Sequence, residues 1–488
     1  MLHILNKIDS LTLTQKEKLL SELTCKKINF KGKMILEYPL YCTEKKEYYP
    51  VSSAQFRVFI ANQVYTFNSA FNNQLAFVLS GEFDIEKIRE IFNKLITRHE
   101  VLRTSFFEIK GQIYQKVHEH AEVNFQVIQD NNKPLETIIK EFVKPFDLAL
   151  APLFRIGVCN IKNDEVFLIL DIHHIISDAE SLILFTNEFI ELYKSYDLGK
   201  HLYQYRDYAQ WENVIKKKVL FILQKKFWNE IYTPLIDVKL PFLNKPEQKD
   251  YSGDVFEFSI ELEEKIEIEK MVKSLELTLF MFLLGAFALT ISKLTYKNDI
   301  IIGSPVAGRR KNEFEKIMGI FVNMLSFRFK INNQNTIQEF YNIIKNDILN
   351  CFDNQEYPYD ELVKDLNLKK ALFDIVFVFQ NAGGKLKNKN VEINDDLAIS
   401  PFKFFNKTSK FALLLETWEE EKRLGLRFEY STYLFDKSEI QKMSENYKQV
   451  IRTIISNKSI FLSEIETFKK ANTFDKLANQ SEIQDFDF

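Results

Sequence analysis

The chain has 488 residues, and its 65 basic and 68 acidic side chains leave a net charge of -3 at neutral pH. This near balance argues against a nucleic-acid-binding surface, and the length allows two domains, each with its own hydrophobic core. The four cysteines lack CxxC spacing, which argues against a zinc site or a disulfide framework and favours a reducing cytoplasm.

The first 49 residues are predicted to form an extension that precedes the first lobe. Residues 14–17 match a helix capping box, and the leucines that follow indicate one short helix that carries Leu19, Leu20 and Leu23. The apolar run in residues 1–9 is too short for a signal peptide, so a cytoplasmic protein is expected.

Residues 50–222 are predicted to form an N-terminal α/β lobe. Residues 166–172 are apolar except for Asp171, which indicates a buried strand. A second helix of this lobe is expected at 182–193, and the lysine-rich stretch 216–226 indicates the boundary with the next lobe. Apolar residues at helical spacing indicate an amphipathic helix earlier in the lobe, with Ile85, Ile88, Ile91, Phe92 and Leu95 on one face.

Residues 223–474 are predicted to form a C-terminal lobe with a similar alternation of strands and helices. Its most apolar helix, at 277–291, is too short to span a membrane and is predicted to lie in the core. Residues 475–488 form an acidic tail that we expect to be flexible. Periodicity predicts the remaining elements, which are strands at 300–302 and 424–430 and helices at 337–349 and 440–454.

The motif with the clearest chemistry is residues 173–179, His-His-Ile-Ile-Ser-Asp-Ala, which directly follow the predicted strand at 166–172. If that strand continues through both histidines, their side chains face opposite ways, so only one ring faces a given substrate. Histidine titrates near neutral pH, so such a ring can take a proton from an incoming amine, or hold that amine in line with an acyl carbonyl. The motif therefore predicts an acyl-transfer site.

The same motif allows other interpretations. A pair of core histidines with satisfied hydrogen bonds is the simplest alternative. A metal site formed by His173, His174, Asp178 and Glu180 is disfavoured, because adjacent histidines on a strand diverge and no further His or Cys cluster completes it. Asp178 lies too far along the chain to be assumed the partner of either ring, so we expect it to pair with an arginine elsewhere.

Residues 173–179 resemble HHxxxDG, the signature of condensation domains of nonribosomal peptide synthetases and of their acyltransferase relatives. Five further segments resemble family blocks in the family's order: 52–57 (SSAQFR), 98–106 (RHEVLRTSF), 205–211 (YRDYAQW), 317–323 (IMGIFVN) and 354–359 (NQEYPY). These blocks and the histidine motif cover about residues 50–465 and point to the peptide-synthetase branch. A strand at 373–381 is similar to part of a late family block, whose Arg-Asn-Pro run is not recognisable here.

The resemblance implies a fold of two chloramphenicol-acetyltransferase-like lobes in a V-shaped pseudo-dimer with a central tunnel. It implies amide bond formation by attack of an acceptor amine on an acyl or aminoacyl thioester. Both substrates would be carried on phosphopantetheine of donor and acceptor peptidyl carrier proteins, and the chain itself would bind no cofactor. We see no carrier-attachment or adenylation motif, so both substrates are expected in trans. The termini are expected to contact adjoining synthetase subunits.

The resemblance also implies a role for individual residues. His174 is the implied catalytic residue, as base or as positioner, and His173, Asp178 and Arg309 are implied to be structural at the active site. Arg309 lies in a segment similar to the family's PxxGR turn in the second lobe, so an Asp178–Arg309 pair would tie the histidine loop to that lobe. No metal is implied. The residues implied to line the tunnel or to support motifs are Ala179, Arg57, Arg103 and Asn323.

One residue of the signature departs from the family pattern. Ala179 stands where the family has glycine, and its methyl group is expected to narrow the channel or shift the loop. Two alternative functions stay open. One is an acyltransferase that moves an acyl group from a carrier protein or coenzyme A to a free amine or alcohol. The other is an inactive platform that docks carrier proteins, although such a platform is expected to lose the histidine motif.

Overall fold

The computed structural model of the chain describes residues 7, 10–12, 15, 32–64, 69–129, 133–161, 165–234, 252–368, 371–380, 391–394, 397–405 and 407–466. The chain divides into two compact units. The short helix predicted after residue 14 lies almost entirely outside the described residues, and the tail predicted at 475–488 lies wholly outside them. The first unit comprises Met1–Lys225, Ala307–Asn323 and Gly384–Asn406, and the second comprises Lys226–Val306, Met324–Gly383 and Lys407–Phe488.

The strands are short to medium in length and are distributed along the whole described chain. Most of them contain β-branched, leucine or aromatic residues, the composition that pleated, half-buried surfaces favour. They are β1 (Tyr49–Pro50), β2 (Asn72–Gly81), β3 (Thr104–Ile109), β4 (Gln112–Val117), β5 (Asn124–Ile128), β6 (Phe154–Ile161), β7 (Glu165–His173), β8 (Gly253–Glu261), β9 (Asp299–Val306), β10 (Asn323–Lys330), β11 (Ile375–Gln380), β12 (Val391–Asn394), β13 (Leu397–Pro401), β14 (Leu413–Glu419) and β15 (Arg423–Ser431).

Helices alternate with these strands. Several begin at a side chain that accepts a backbone N–H of the first turn, which satisfies a donor that the helix itself leaves open. They are α1 (Ser53–Val64), α2 (Ile85–Arg98), α3 (Leu135–Phe142), α4 (Ala179–Tyr193), α5 (Tyr205–Ile215), α6 (Val219–Ile231), α7 (Leu262–Ser274), α8 (Leu279–Thr295), α9 (Asn312–Glu315), α10 (Ile337–Asp353), α11 (Tyr359–Asp365) and α12 (Lys437–Ser456).

The first unit contains a six-stranded sheet of order β12-β13-β2-β7-β6-β5 and a three-stranded sheet of order β1-β4-β3. Strand β7 lies inside the larger sheet, antiparallel to both β2 and β6. Every residue of β7 from Val166 to His173 is buried, because its apolar side chains cover both faces of the strand. The strand predicted at 166–172 is therefore the central element that leads to the histidine pair.

Helix α4 follows the histidine loop and packs against α2. The ring centroids of Phe92 and Phe189 are 5.2 Å apart, and those of Phe92 and Phe185 are 5.9 Å apart. Such stacked aromatic pairs bury a large apolar area in a defined geometry. These contacts hold α4, which directly follows the histidine loop, against α2.

The second unit contains a six-stranded sheet of order β10-β9-β11-β14-β15-β8. Strand β11 is parallel to β9 and β14, whereas β14, β15 and β8 are antiparallel to one another in turn. Helix α8 is buried on nearly all sides, in agreement with its prediction as a core helix. No single helix among the described residues has the length and apolarity to cross a membrane; α7 and α8 reach that threshold only as a pair bent by 102°.

The predicted α/β class is confirmed, and each helix and strand predicted from periodicity within the described residues has a counterpart among the observed elements. The chain passes from the first unit to the second between Lys225 and Lys226, inside the lysine-rich stretch 216–226 and within α6. One feature of the chain's organisation differs from expectation. Residues 307–323 and 384–406, from the predicted C-terminal lobe, belong to the first unit.

Candidate active site

The histidine pair is divided by the end of strand β7. His173 is the last residue of the strand, and its side chain is buried, with Nδ1 accepting a hydrogen bond from the Ile175 backbone N–H at 3.1 Å. His174 begins a short 3₁₀ turn, His174–Ile176, and is half-buried. The two rings therefore have different surroundings, as the alternation argument predicted, but the cause is that the strand stops between them.

One contact of the His174 ring bears on the position of its proton. Its Nδ1 lies 2.7 Å from the backbone carbonyl oxygen of Ser177. A carbonyl oxygen only accepts hydrogen bonds, so this contact requires the proton on Nδ1. In the neutral ring the basic nitrogen is then Nε2, which is the arrangement that a general base requires.

Asp178 anchors the end of the histidine loop. Its carboxylate caps α4, with Oδ1 accepting the Ser181 backbone N–H at 2.8 Å. The Phe321 backbone N–H donates to Oδ2 at 2.9 Å, and the Arg309 guanidinium donates to Oδ1 at 3.0 Å. The Asp178 and Arg309 side chains are only 4% and 7% exposed. The structure thus brings together the two residues that the motifs suggested as a pair.

Arg309 is held from several directions. Its Nη1 donates to the carbonyl oxygens of Phe314 and Ile317, both at 2.6 Å, and its guanidinium lies over the Phe321 ring at 4.0 Å from the centroid. The planar guanidinium group can donate to several acceptors that lie in different directions, which an ammonium group does less well. Both Arg309 and Asp178 belong to the first unit, because residues 307–323 pack there. The expected tie to a second lobe is therefore a contact within one unit.

Ser181 was not among the predicted site residues, yet it joins the same network. Its Oγ lies 2.7 Å from Asp178 Oδ1, 2.7 Å from Arg309 Nη2 and 2.6 Å from the Gly319 carbonyl oxygen. Gly319 has a φ of 154°, and a Cβ there would lie 1.8 Å from a ring atom of Tyr205, so only glycine fits. The Asp-x-x-Ser spacing at a helix start was the available sequence signal for Ser181.

The alanine at the family's glycine position causes no backbone strain. Ala179 is the first residue of α4, its side chain is exposed, and it is not among the described residues with positive φ. An L-residue adopts this helical conformation freely. The backbone at residue 179 therefore does not require glycine.

The supporting residues have structural contacts. Arg57 of α1 donates to the Val322 carbonyl oxygen at 3.1 Å, next to Asn323, which begins β10 and is half-buried. Arg103 donates from Nε to the His118 carbonyl oxygen at 2.9 Å. These contacts connect loops and helices of the first unit, and a tunnel-lining role for these three residues stays a prediction.

A buried acidic residue lies two positions before His173. Asp171 accepts a hydrogen bond from Asn72 Nδ2 at 3.1 Å, and Arg155 Nε lies 3.4 Å from the same carboxylate oxygen. Burial raises the pKa of Asp171 from 3.8 to about 7, although Arg155 and Asn72 act in the opposite direction. The free-energy cost of burying the charged carboxylate exceeds the stabilisation that Arg155 and Asn72 give to its charged form.

This raised pKa predicts a pH-dependent stability. Between pH 3.8 and about 7 the folded chain binds a proton at Asp171 that the unfolded chain has released. The contribution of this group is therefore fully present below pH 3.8 and is lost as the pH rises to about 7, by at most about 4 kcal/mol. Urea unfolding of the wild type and of Asp171→Asn at pH 4.5, 6 and 8 measures this pH dependence of the free energy of unfolding.

The asparagine variant is expected to gain stability relative to the wild type as the pH rises through this window. The matched control is Asp197→Asn, because Asp197 is exposed and accepts a local hydrogen bond from the Gly199 backbone N–H. A stability difference between wild type and Asp171→Asn that is the same at pH 4.5 and pH 8 would contradict the prediction.

One group of side chains in the described part of the chain has the composition of a metal site. The ligand atoms of His99, Glu188 and His201 all lie within 4.8 Å of one another. However, Glu188 Oε2 already pairs with His99 Nε2 at 2.6 Å and with Arg98 Nε at 3.1 Å. Burial opposes ionisation of Glu188, but hydrogen bonds from His201 and His99 hold its pKa well below its usual range. A cation here would lie against the Arg98 guanidinium, so we interpret the group as a buried ion-pair network.

The motif residues do not form a second such group. Within the described residues, His173, His174, Asp178 and Glu180 do not converge as metal ligands. Asp178 is engaged by Arg309, and Glu180 is exposed. The arrangement around His174 is suited to proton transfer and positioning rather than to holding a metal ion.

Comparison with known proteins supplies a family. The family model described as the condensation domain matches residues 45–475. Gramicidin S synthase 2 of Brevibacillus brevis is 34% identical over 433 residues, which cover 86% of this chain and 10% of that protein. Tyrocidine synthase 3 of Brevibacillus parabrevis is 34% identical over 445 residues, which cover 89% of this chain and 7% of that protein. The chain thus spans a tenth or less of the length of these curated relatives.

Solved structures share the fold. A four-domain nonribosomal peptide synthetase bound to AMP and glycine aligns with a TM-score of 0.79 at 19% identity, covering 90% of this chain and 35% of that chain. The X-domain from teicoplanin biosynthesis aligns with a TM-score of 0.81 at 17% identity, covering 88% of this chain and all of that chain. At these identities the likeness concerns the fold alone.

Proposed function

Because the chain belongs to the condensation domain family, we propose that it joins an acceptor amine to an acyl or aminoacyl thioester through an amide bond. Condensation domains catalyse amide bond formation in nonribosomal peptide synthesis. The amine nitrogen attacks the thioester carbonyl carbon, the new C–N bond forms, and the C–S bond breaks. The released thiolate takes up the proton that the amine gives up, so the reaction is balanced without a further reagent.

The observation that carries the proposal is the orientation of His174. Its Nδ1 donates to the Ser177 carbonyl oxygen at 2.7 Å, so Nε2 is the basic nitrogen of the neutral ring. A base of this kind takes the amine proton, and the same ring holds the amine at attack distance from the carbonyl carbon. Asp178 and Arg309 act on the reaction only through the loop that they anchor.

We further propose that both substrates arrive on phosphopantetheine arms of separate donor and acceptor carrier proteins. The support is the family and the large synthases among the curated relatives, of which this chain matches a tenth or less. A cytoplasmic location is part of the same proposal. The identities of the acyl group and of the amine are left to the experiment.

The test is intact-protein mass spectrometry of an acceptor carrier loaded with an amino acid. It is incubated with the chain and a donor carrier loaded with an acyl group. We expect the acceptor to gain the mass of the acyl group and the donor to lose it. Parallel reactions replace the acceptor carrier by the free amino acid, or the donor carrier by the acyl-coenzyme A.

Each arm separates one function from the others. Transfer only to the free amino acid or only from acyl-coenzyme A would replace the proposal by a free-acceptor acyltransferase. Absence of transfer in every arm, together with carrier binding in a pull-down of the loaded carriers, would leave a docking platform.

A further inference from the structure

Asn73 lies beside the catalytic ring although nothing in the sequence motifs pointed to it. It belongs to β2, where it is paired in register with Ile172 of β7, one position before His173. Its side-chain amide nitrogen lies 3.2 Å from His174 Nδ1 and 3.3 Å from Ser177 Oγ. Asn73 is half-buried, so its amide is partly shielded from water at this contact.

Two neighbours of His174 Nδ1 make opposite demands on it. The Ser177 carbonyl oxygen, at 2.7 Å, requires a proton on Nδ1. An amide NH₂ group at 3.2 Å requires a lone pair on Nδ1, because it can only donate. A neutral imidazole has one or the other at a given nitrogen, so both demands are not met together.

Rotation of the Asn73 amide by a half-turn resolves this conflict. The amide oxygen then occupies the position next to Nδ1, and the Nδ1–H group lies between two acceptors, the Asn73 oxygen and the Ser177 carbonyl oxygen. The Ser177 hydroxyl accepts from the amide NH₂ group in the first orientation. In the second it donates to the amide oxygen, in place of its 3.3 Å hydrogen bond to the His173 carbonyl oxygen. The shorter contact to the Ser177 carbonyl oxygen favours the orientation in which Nδ1 is protonated.

We propose that Asn73 is a positioning residue that sets the tautomer and the basicity of His174. With the amide oxygen toward the ring, the proton stays on Nδ1 and Nε2 accepts the proton of the amine. With the amide NH₂ group toward the ring, the proton moves to Nε2, which then cannot act as a base. This inference rests on the proposed function of His174, but the state of the ring is measured without any substrate.

The experiment is NMR of ¹⁵N-histidine-labelled full chain across pH 5 to 9, in which the ¹⁵N shifts report the tautomer and pKa of each ring. The signals of His174 are assigned by their loss in His174→Gln. Asn73→Asp places a carboxylate beside Nδ1 and is expected to raise the pKa of His174 by about 1 unit or more. Asn73→Leu removes the acceptor and is expected to lower that pKa by about half a unit.

Kinetics supply a second readout. We expect kcat of Asn73→Leu to fall about 3- to 10-fold with KM nearly unchanged. The reason is that the His174 ring is less well positioned, whereas the contacts to substrate remain. The pH at which kcat reaches half its maximum is expected to move upward in Asn73→Asp, in step with the NMR pKa. A loss of thermal stability without these shifts would indicate a merely structural role.

The matched controls are Asn124→Leu and Asn124→Asp, since Asn124 lies exposed on β5 of the same sheet. These are expected to leave the His174 signals in place. Unchanged tautomer and pKa of His174 in both Asn73 variants would overturn the inference. If the wild-type chain transfers no acyl group in any assay, the proposed function fails while the NMR result still decides the role of Asn73.

Discussion

Replacement of His174 by alanine is expected to lower kcat for acyl transfer by about 10²- to 10⁴-fold, the usual contribution of a positioned general acid or base. The ring is half-buried at the end of β7, and its Nδ1 contacts Ser177 and Asn73. Removal of the ring therefore abolishes proton acceptance at Nε2. The measurement is the initial rate of mass gain on the loaded acceptor carrier.

Two variants serve as controls for this loss. His120 is an exposed histidine, and His120→Ala is expected to retain the wild-type rate. His173→Ala is expected to act on stability, because the buried His173 ring accepts the Ile175 backbone N–H. A kcat of His174→Ala within about threefold of the wild type would remove His174 from catalysis and leave orientation by other groups as the source of the rate.

Loss of either partner of the Asp178–Arg309 pair is expected to lower the free energy of unfolding by about 3–5 kcal/mol. Both side chains are less than a tenth exposed, so the remaining partner is left as a buried charge without its counterion. Asp178→Ala also removes the cap of α4 and an acceptor for the Phe321 backbone N–H. The measurement is urea unfolding of Asp178→Ala, Arg309→Ala and the double variant.

The control pair is Lys45 and Glu119, which lie 2.6 Å apart but are 76% and 71% exposed. Lys45→Ala is expected to leave the free energy of unfolding nearly unchanged, because water screens exposed ion pairs. In the double variant of the buried pair, the effects of the two substitutions are expected to be less than additive. A cost for Arg309→Ala as small as that for Lys45→Ala would show that the pair does not stabilise the fold.

Much of the fold was predictable from local sequence patterns. The strand before His173 and the helices that carry Leu95 and Ile440 were expected from apolar periodicity, and the structure contains them as β7, α2 and α12. The motif resemblance predicted the condensation family, and the match over residues 45–475 confirms it. These predictions succeeded because periodicity and short motifs depend on residues that are close together in the chain.

Other features could not be predicted from the sequence. The sequence shows that Ala179 occupies the glycine position of the signature, but only the structure shows that this residue lies without backbone strain at the start of α4. The lysine-rich stretch indicated the boundary between the two units, and only the structure shows that α6 crosses this boundary. Local composition predicts exposure well, but it does not show whether an exposed lysine lies on a helix or in a linker.

By itself, the sequence determined the family, the α/β class and the histidine motif at the end of a buried strand. Only the tertiary structure decided which groups surround that motif. Asn73 reaches His174 through the register of β2 and β7, and Ser181 reaches Gly319 because residues 307–323 pack into the first unit. The physical reason is that periodicity is a property of neighbouring residues. A hydrogen bond across 101 or 138 positions depends on strand register and packing that no local pattern encodes.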